Sequence, residues 1–179
     1  PDNAGPGIDI YSMRQPLGVV AAIMPFNFPA MMPLWHVGPA LACGNAVVLK
    51  PSERDPSVPL MLAELLVEAG LPAGVFQVVN GDKEAVDTLL DSEIIQGVSF
   101  VGSTAIAQYI YSRATASGKR AQCFGGAKNH LIVMPDADMD ITVDVVVASF
   151  TDGSGQRSIA ARLMAAVGAE RLPDDLVVV

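Results

Sequence analysis

The chain has 179 residues, enough for one ordinary domain, or for one domain and a piece of another, with a sizeable core. Hydrophobic residues make up 51% and charged ones 17%, which excludes a disordered chain. The net charge of -8, with no cluster of Lys and Arg, argues against a nucleic-acid surface, because neutralising phosphates needs such a cluster.

In chain order, residues 1–16 include "IDIYSMRQ", which reads as an exposed strand, and "LGVVAAI" follows as the first buried one. Leu17 to Leu49 contains no Asp, Glu, Lys or Arg, which raises the question of a membrane span. Pro25, Pro29, Pro33 and Pro39 cut it into pieces shorter than the roughly 18 to 20 apolar residues a spanning helix needs. The stretch therefore reads as strand, helix within Ala30 to Cys43, and the strand "NAVVLK". "SVPLMLAELLVEA" has helical period and Gly70 is a plausible stop. Then come the strand "VFQVV", a short helix over 82–91, the strand "GVSFVG", and a helix with Ser103 at its N-cap position and Gly118 at its end. Strands near "RAQCF" and "HLIVM" follow, then a capped helix in "PDADMDITVDVVVASF". A last strand begins at "ARLMAAV", and the terminal "LVVV" reads as a strand whose partners lie elsewhere. Strands alternating with helices predict an α/β fold with a parallel sheet.

In such a sheet ligands bind beyond the carboxyl ends of the strands, so the residues after each strand matter most. After the first buried strand, "MPFNFP" aims Asn27, whose amide is either a turn former or a donor to a developing oxyanion. After the second, Lys50 and Glu53 of "KPSE" form either an exposed ion pair or a ribose site. After the fourth, Gly102 permits close approach and Ser103 opens a helix whose N–H groups favour phosphate, though capping alone also explains it. "GSGQRS", residues 153–158, matches G-x-G-x-x-S but follows a helical run, not a strand, which argues against a phosphate loop. G-x-x-x-x-G-K-[ST], H-E-x-x-H and G-x-S-x-G are absent. His36 and His130 lie far apart in apolar stretches, predicting packing roles and no metal site, and leaving Ser158 without an evident histidine base. Cys43 and Cys123, also in apolar stretches, suit a reducing cytoplasmic setting. Pro1 to Gly7 lacks the pattern of a signal peptide.

Taken in order, "MPFNFP", "KPSERDPS", "FVGST" and "GAKNH" followed by "PDAD" resemble the aldehyde dehydrogenase superfamily, closest to its acylating methylmalonate-semialdehyde branch. The resemblance covers nearly the whole chain. It implies a Rossmann-type NAD-binding domain over 17–125, preceded at 1–16 by a strand linking to an oligomerisation region and followed at 126–179 by the beginning of a catalytic domain. It implies that Met24 and Phe26 line the nicotinamide side, that Lys50, Glu53 and Arg54 hold the adenosine ribose region, that Ser103 lies by the pyrophosphate and that Gly125 touches the nicotinamide end. Asn27 matches the oxyanion donor.

The family's reaction begins with attack of a cysteine thiolate on an aldehyde; hydride passes to NAD and leaves a thioester. Most members hydrolyse that thioester with the glutamate of Glu-Leu-Gly-Gly-Lys, whereas "CFGGAK" has no carboxylate, which suits acyl transfer to coenzyme A. The resemblance therefore implies a small semialdehyde substrate of the malonate or methylmalonate type, and a homo-oligomer at full length. It also exposes a departure. Twenty-three residues on from Pro135, where the family has its nucleophilic cysteine, stands Ser158. A thiol of pKa about 8.5 is readily lowered to a thiolate, whereas an alcohol needs an adjacent base. Ser158 predicts a nearly inert form, and a non-catalytic NAD-binding protein or structural fragment is the alternative. The family's first cofactor-domain segment and its later E-x-F-G-P motif have no counterpart in the chain, which reads as a fragment of a longer product, a proteolysed species or the product of a truncated gene.

Overall fold

The computed structural model describes residues 5–168. The chain divides into two compact units, Pro1–Phe124 and Gly125–Val179.

The first unit is a doubly wound parallel sheet. Its strands are β1 (Val19–Ile23), β2 (Ala46–Lys50), β3 (Phe76–Val78), β4 (Ile95–Val101) and β5 (Arg120–Phe124), in the spatial order β3-β2-β1-β4-β5. Every neighbouring pair is parallel, with Ile23 level with Lys50 on one side and Phe100 on the other. Four helices link them: α1 (Met31–Ala42), α2 (Ser57–Glu68), α3 (Lys83–Asp91) and α4 (Thr104–Ala116).

Alternation along β1 assigns its residues to opposite faces. Ala21 and Ile23 pack with Val98 and Phe100 of β4, Leu89 and Leu90 of α3 and Ile110 and Ala114 of α4. Ala22 and Met24 pack with Val47 and Leu49 of β2 and Met32 and Val37 of α1. Burial on both faces explains why the central strands are uninterrupted apolar runs. Pro33 and Pro59 fall in the first turns of α1 and α2, where the missing N–H leaves no bond unmade. Pro39 lies inside α1. No described helix is long and apolar enough to cross a membrane.

Two expectations change. Residues 9–17 form no strand, and only Gly5 and Ile8 make a single antiparallel bridge, because no described strand lies beside "IDIYSMRQ" to take its backbone groups. Ser103 stands at the N-cap of α4 in extended conformation, but its side chain makes no capping bond.

The second unit pairs β6 (Asn129–Val133) with β7 (Ala161–Ala166) in parallel, joined through α5 (Met139–Thr151) and a 3₁₀ turn, Asp152–Gly155. Asp138 caps α5, accepting from the N–H groups of Asp140 and Ile141 at 3.1 and 3.2 Å. The terminal "LVVV" lies outside the described residues.

Candidate functional site

The strand order of the first unit reverses direction between β1 and β4, and the segments that follow these strands border that switch point. The loop after β1 starts at Met24, whose N–H donates to the carbonyl of Lys50 at 3.0 Å and continues the ladder one residue past the strand. The Met24 side chain is 3% exposed and belongs to the core. Phe26 is 36% exposed, and Asn27 is half-buried in the irregular segment before α1.

Lys50 ends β2 and is 4% exposed. Its Nζ donates to the carbonyl of Gly81 at 2.9 Å and to Glu53 Oε2 at 3.5 Å. A buried ammonium needs such partners, since losing water without replacement costs several kcal/mol. Gly81 has φ +147°, and a Cβ there would stand 2.7 Å from that of Ala85, so the carbonyl that receives Lys50 depends on a glycine. Glu53 is half-exposed; its own backbone N–H, aided by the charges of Lys50 and Arg54, holds its carboxyl below the usual range and keeps it ionised. Beside it, the Arg54 guanidinium carbon lies 5.1 Å from the centroid of the Phe26 ring.

After β4, the Gly102 N–H donates to the Phe124 carbonyl at 3.0 Å. A Cβ at Gly102 would stand 2.4 Å from Phe100 Cζ, so the chain passes over that ring only without a side chain. α4 follows with no acidic residue in its first turn, which leaves its positive end suited to an anion.

Met24, Phe26, Asn27, Lys50, Glu53, Arg54 and Ser103 thus all follow or end three strands at one edge of the sheet. The donor set fits a dinucleotide: an ammonium and a carboxylate for ribose hydroxyls, a helix N-terminus for phosphate, and a glycine where the backbone must approach closely.

In the second unit Gly125 is half-buried at the beginning, and Ser158 is exposed just after the 3₁₀ turn. Gly153, Ser154 and Gly155 are successively left-handed, at φ 60°, 57° and 69°. The Asp152 carboxylate pairs with Arg157, and Arg162 donates to the Gly155 carbonyl at 2.9 Å. The Asn129 amide donates to the carbonyls of Ser158 at 2.6 Å and Ala160 at 3.0 Å, and Ser149 Oγ accepts from the Ala161 N–H at 3.0 Å. Position 158 is therefore held by its backbone. Among the described residues no histidine, lysine or carboxylate hydrogen-bonds its hydroxyl.

The sequence reading did not single out Asn129, Ser149 or Gly81. Asn129 stands within "GAKNH", and the signal was there, but its role depends on strand pairing that brings it beside a turn 29 residues on. Two other expectations are corrected, those for His130 and Cys43. His130 is exposed on β6 and so has no packing role there, whereas His36 donates Nδ1–H to the Met32 carbonyl at 2.8 Å on α1. Cys43 is exposed at the C-cap of α1, past the helix's buried residues. Cys123 is half-buried in β5, and burial pushes its thiol pKa up, which makes it a poor thiolate. A cavity of about 640 Å³ on the α1 face of the sheet, lined by Val20, Trp35, His36, Cys43, Ser99 and Gln122, contains none of the residues expected to bind cofactor or substrate.

Comparisons with known proteins agree with this fold. The chain is 54% identical over 175 residues to malonate-semialdehyde dehydrogenase of Pseudomonas aeruginosa, covering 98% of this chain and 35% of that protein. It is 48% identical over 176 residues to the acylating, mitochondrial methylmalonate-semialdehyde dehydrogenase of Arabidopsis thaliana, covering 98% and 29%. A crystal structure from Sinorhizobium meliloti, assigned as a methylmalonate-semialdehyde dehydrogenase and complexed with NAD, superposes with TM-score 0.89 at 59% identity, over 94% of this chain and 34% of that one. The chain spans about a third of the length of these relatives. The profile of the aldehyde dehydrogenase family matches residues 2–169, and the chain belongs to that family.

Proposed function

We propose that this chain carries the cofactor-binding core and the nucleophile turn of an NAD-dependent dehydrogenase acting on a small semialdehyde of the malonate or methylmalonate type. The observation that carries the reading is the gathering of Phe26, Lys50, Glu53, Arg54 and Ser103 at one sheet edge, in a chain 54% identical to a malonate-semialdehyde dehydrogenase. When bound, NAD supplies the hydride acceptor. Lys50 would donate to ribose hydroxyls and Glu53 accept from them, with Arg54 beside them, while Ser103 and the start of α4 take the pyrophosphate. Met24, Phe26 and Gly125 would border the nicotinamide, with Met24 contributing backbone, since its side chain is buried. The Asn27 amide would stabilise the oxyanion that forms on the substrate carbonyl. Residues 17–125 form the cofactor domain in this reading and residues 126–179 begin the catalytic one.

Coenzyme A is the proposed acyl acceptor, because "CFGGAK" offers no carboxylate to activate water and the Arabidopsis relative is described as acylating. Position 158 offers an alcohol with no base bonded to it among the described residues, so this form is nearly inert at the acylation step. Neither cysteine is in a disulfide, which suits a reducing cytoplasmic compartment, and the full-length protein is proposed as a homo-oligomer.

Reduction of NAD with methylmalonate semialdehyde and coenzyme A, compared between the chain and Ser158→Cys, tests the assignment. Turnover appearing only in the cysteine form is expected. Family-like rates from the serine form would overturn the account of position 158. The second reading is a non-catalytic NAD-binding protein, which the unassisted Ser158 hydroxyl favours. It predicts saturable NAD binding with no turnover in either form.

A further inference from the structure

Arg54 and Phe26 belong to different loops. Phe26 follows β1 and Arg54 follows β2, so their contact ties together the segments beyond two adjacent strands at the proposed cofactor edge. The base of the Arg54 arm is fixed, because its backbone N–H donates to Ser52 Oγ at 3.3 Å. Consecutive residues divide their attachments: Glu53 turns to Lys50, and Arg54 turns to the ring. The salt bridges among the described residues do not include Arg54, whose planar cation lies over an aromatic face that is itself exposed. A guanidinium stacked on a ring restrains the ring's rotation and the loop that carries it.

We propose that Arg54 is a positioning residue for the cofactor site, fixing Phe26 and the 24–29 loop by stacking, and acting on dinucleotide binding through that ring instead of by contact with a phosphate or ribose. The inference rests on the cofactor reading above and changes the part Arg54 plays in it. A loop restrained before binding loses less freedom when the ligand arrives, so removing the restraint weakens binding without altering which dinucleotide is preferred.

The test is titration of NAD and NADP into the chain, Arg54→Gln, Arg54→Lys, Phe26→Leu and the double variant Arg54→Gln/Phe26→Leu, with melting temperatures alongside. An exposed cation–π contact is worth about a two- to fivefold change in Kd. Arg54→Gln is expected to raise the Kd for NAD by that factor, with Arg54→Lys recovering only part of it, because an ammonium keeps the charge over the ring but cannot stack as a plane. The double variant is expected to bind no more weakly than Phe26→Leu alone, and the NAD-to-NADP ratio to stay constant. Additive losses, a selective loss of NADP, or a lower melting temperature with an unchanged Kd would each overturn the proposal. If the unsubstituted chain does not saturate with NAD, the cofactor reading fails and this inference with it. Saturation with additive losses defeats this inference alone.

Discussion

In the first unit the five-stranded sheet is packed on both faces, with fully buried Leu49, Leu90 and Ile110 locking strands to helices. In the second, a two-stranded sheet and one helix bury only Val133, Val146, Ala160 and Ala161 among the described apolar residues. The proposed cofactor-side residues end or follow strands whose position is set by apolar packing, while position 158 stands by a turn whose carbonyls accept from Asn129 and Arg162, with Ser149 Oγ accepting from the Ala161 N–H. Substitution should therefore act through cavities in the first unit and through unsatisfied carbonyls in the second.

The largest effect is expected from Leu49→Ala, which should cost about 2–5 kcal/mol in denaturant unfolding. Leu163→Ala in β7, at a side chain 38% exposed, should stay within about 0.5 kcal/mol. Equal losses would erase the contrast. Next, Asn129→Leu removes the donor from the carbonyls of Ser158 and Ala160, one exposed and one partly buried, and should cost about 0.5–1.5 kcal/mol. Hydrogen exchange should then quicken at residues 157–161 while β1 and β4 stay protected; a uniform rise across both units would contradict a local clip.

Ser154→Gly should act in the opposite sense. Ser154 is the one described non-glycine residue at positive φ, and relieving it should stabilise the chain by about 1 kcal/mol, read as a higher melting temperature. The smallest effect concerns the surface clamp between α3 and α4. Tyr109 Oη donates to Asp87 at 2.7 Å, Lys83 donates to Asp87 at 2.5 Å, and Arg113 bonds the Tyr109 hydroxyl and pairs with Asp91. The Lys83 bond first, then that of Tyr109, holds the Asp87 carboxyl at about 2. A depressed folded-state pKa means stability fully present above the ordinary carboxylate value of about 3.9 and lost as pH falls toward 2. Asp87→Asn should thus melt slightly below the parent at pH 6 and together with it near pH 2, and a difference that persists in acid would rule out this origin.

Much of the first unit was legible before folding. Four strand-and-helix units follow from apolar runs alternating with helical period, and Gly70 and Gly118 do lie just past helix ends at φ +90° and +73°. The loops after β1, β2 and β4 were legible as candidate sites because ligands gather beyond the carboxyl ends of parallel strands. What escaped were residues whose partners are distant in sequence. Gly81 matters because Lys50 reaches it across 31 positions, and Asn129 because pairing of β6 with β7 brings it to the turn. Conversely, "IDIYSMRQ" has the alternation of a strand and forms none, since a strand exists only where a neighbour takes its backbone bonds.

The sequence by itself determined the period of each element, the order of strands and helices, the family, and the alcohol at position 158, because these depend on local pattern and residue identity. Only the tertiary structure decided that Met24 turns its side chain into the core, that Arg54 lies on Phe26 while Glu53 goes to Lys50, and that Asn129 holds the backbone of Ser158. Each of these is a choice among partners, and a side chain has partners to choose from only after parallel pairing has carried distant segments to the same edge.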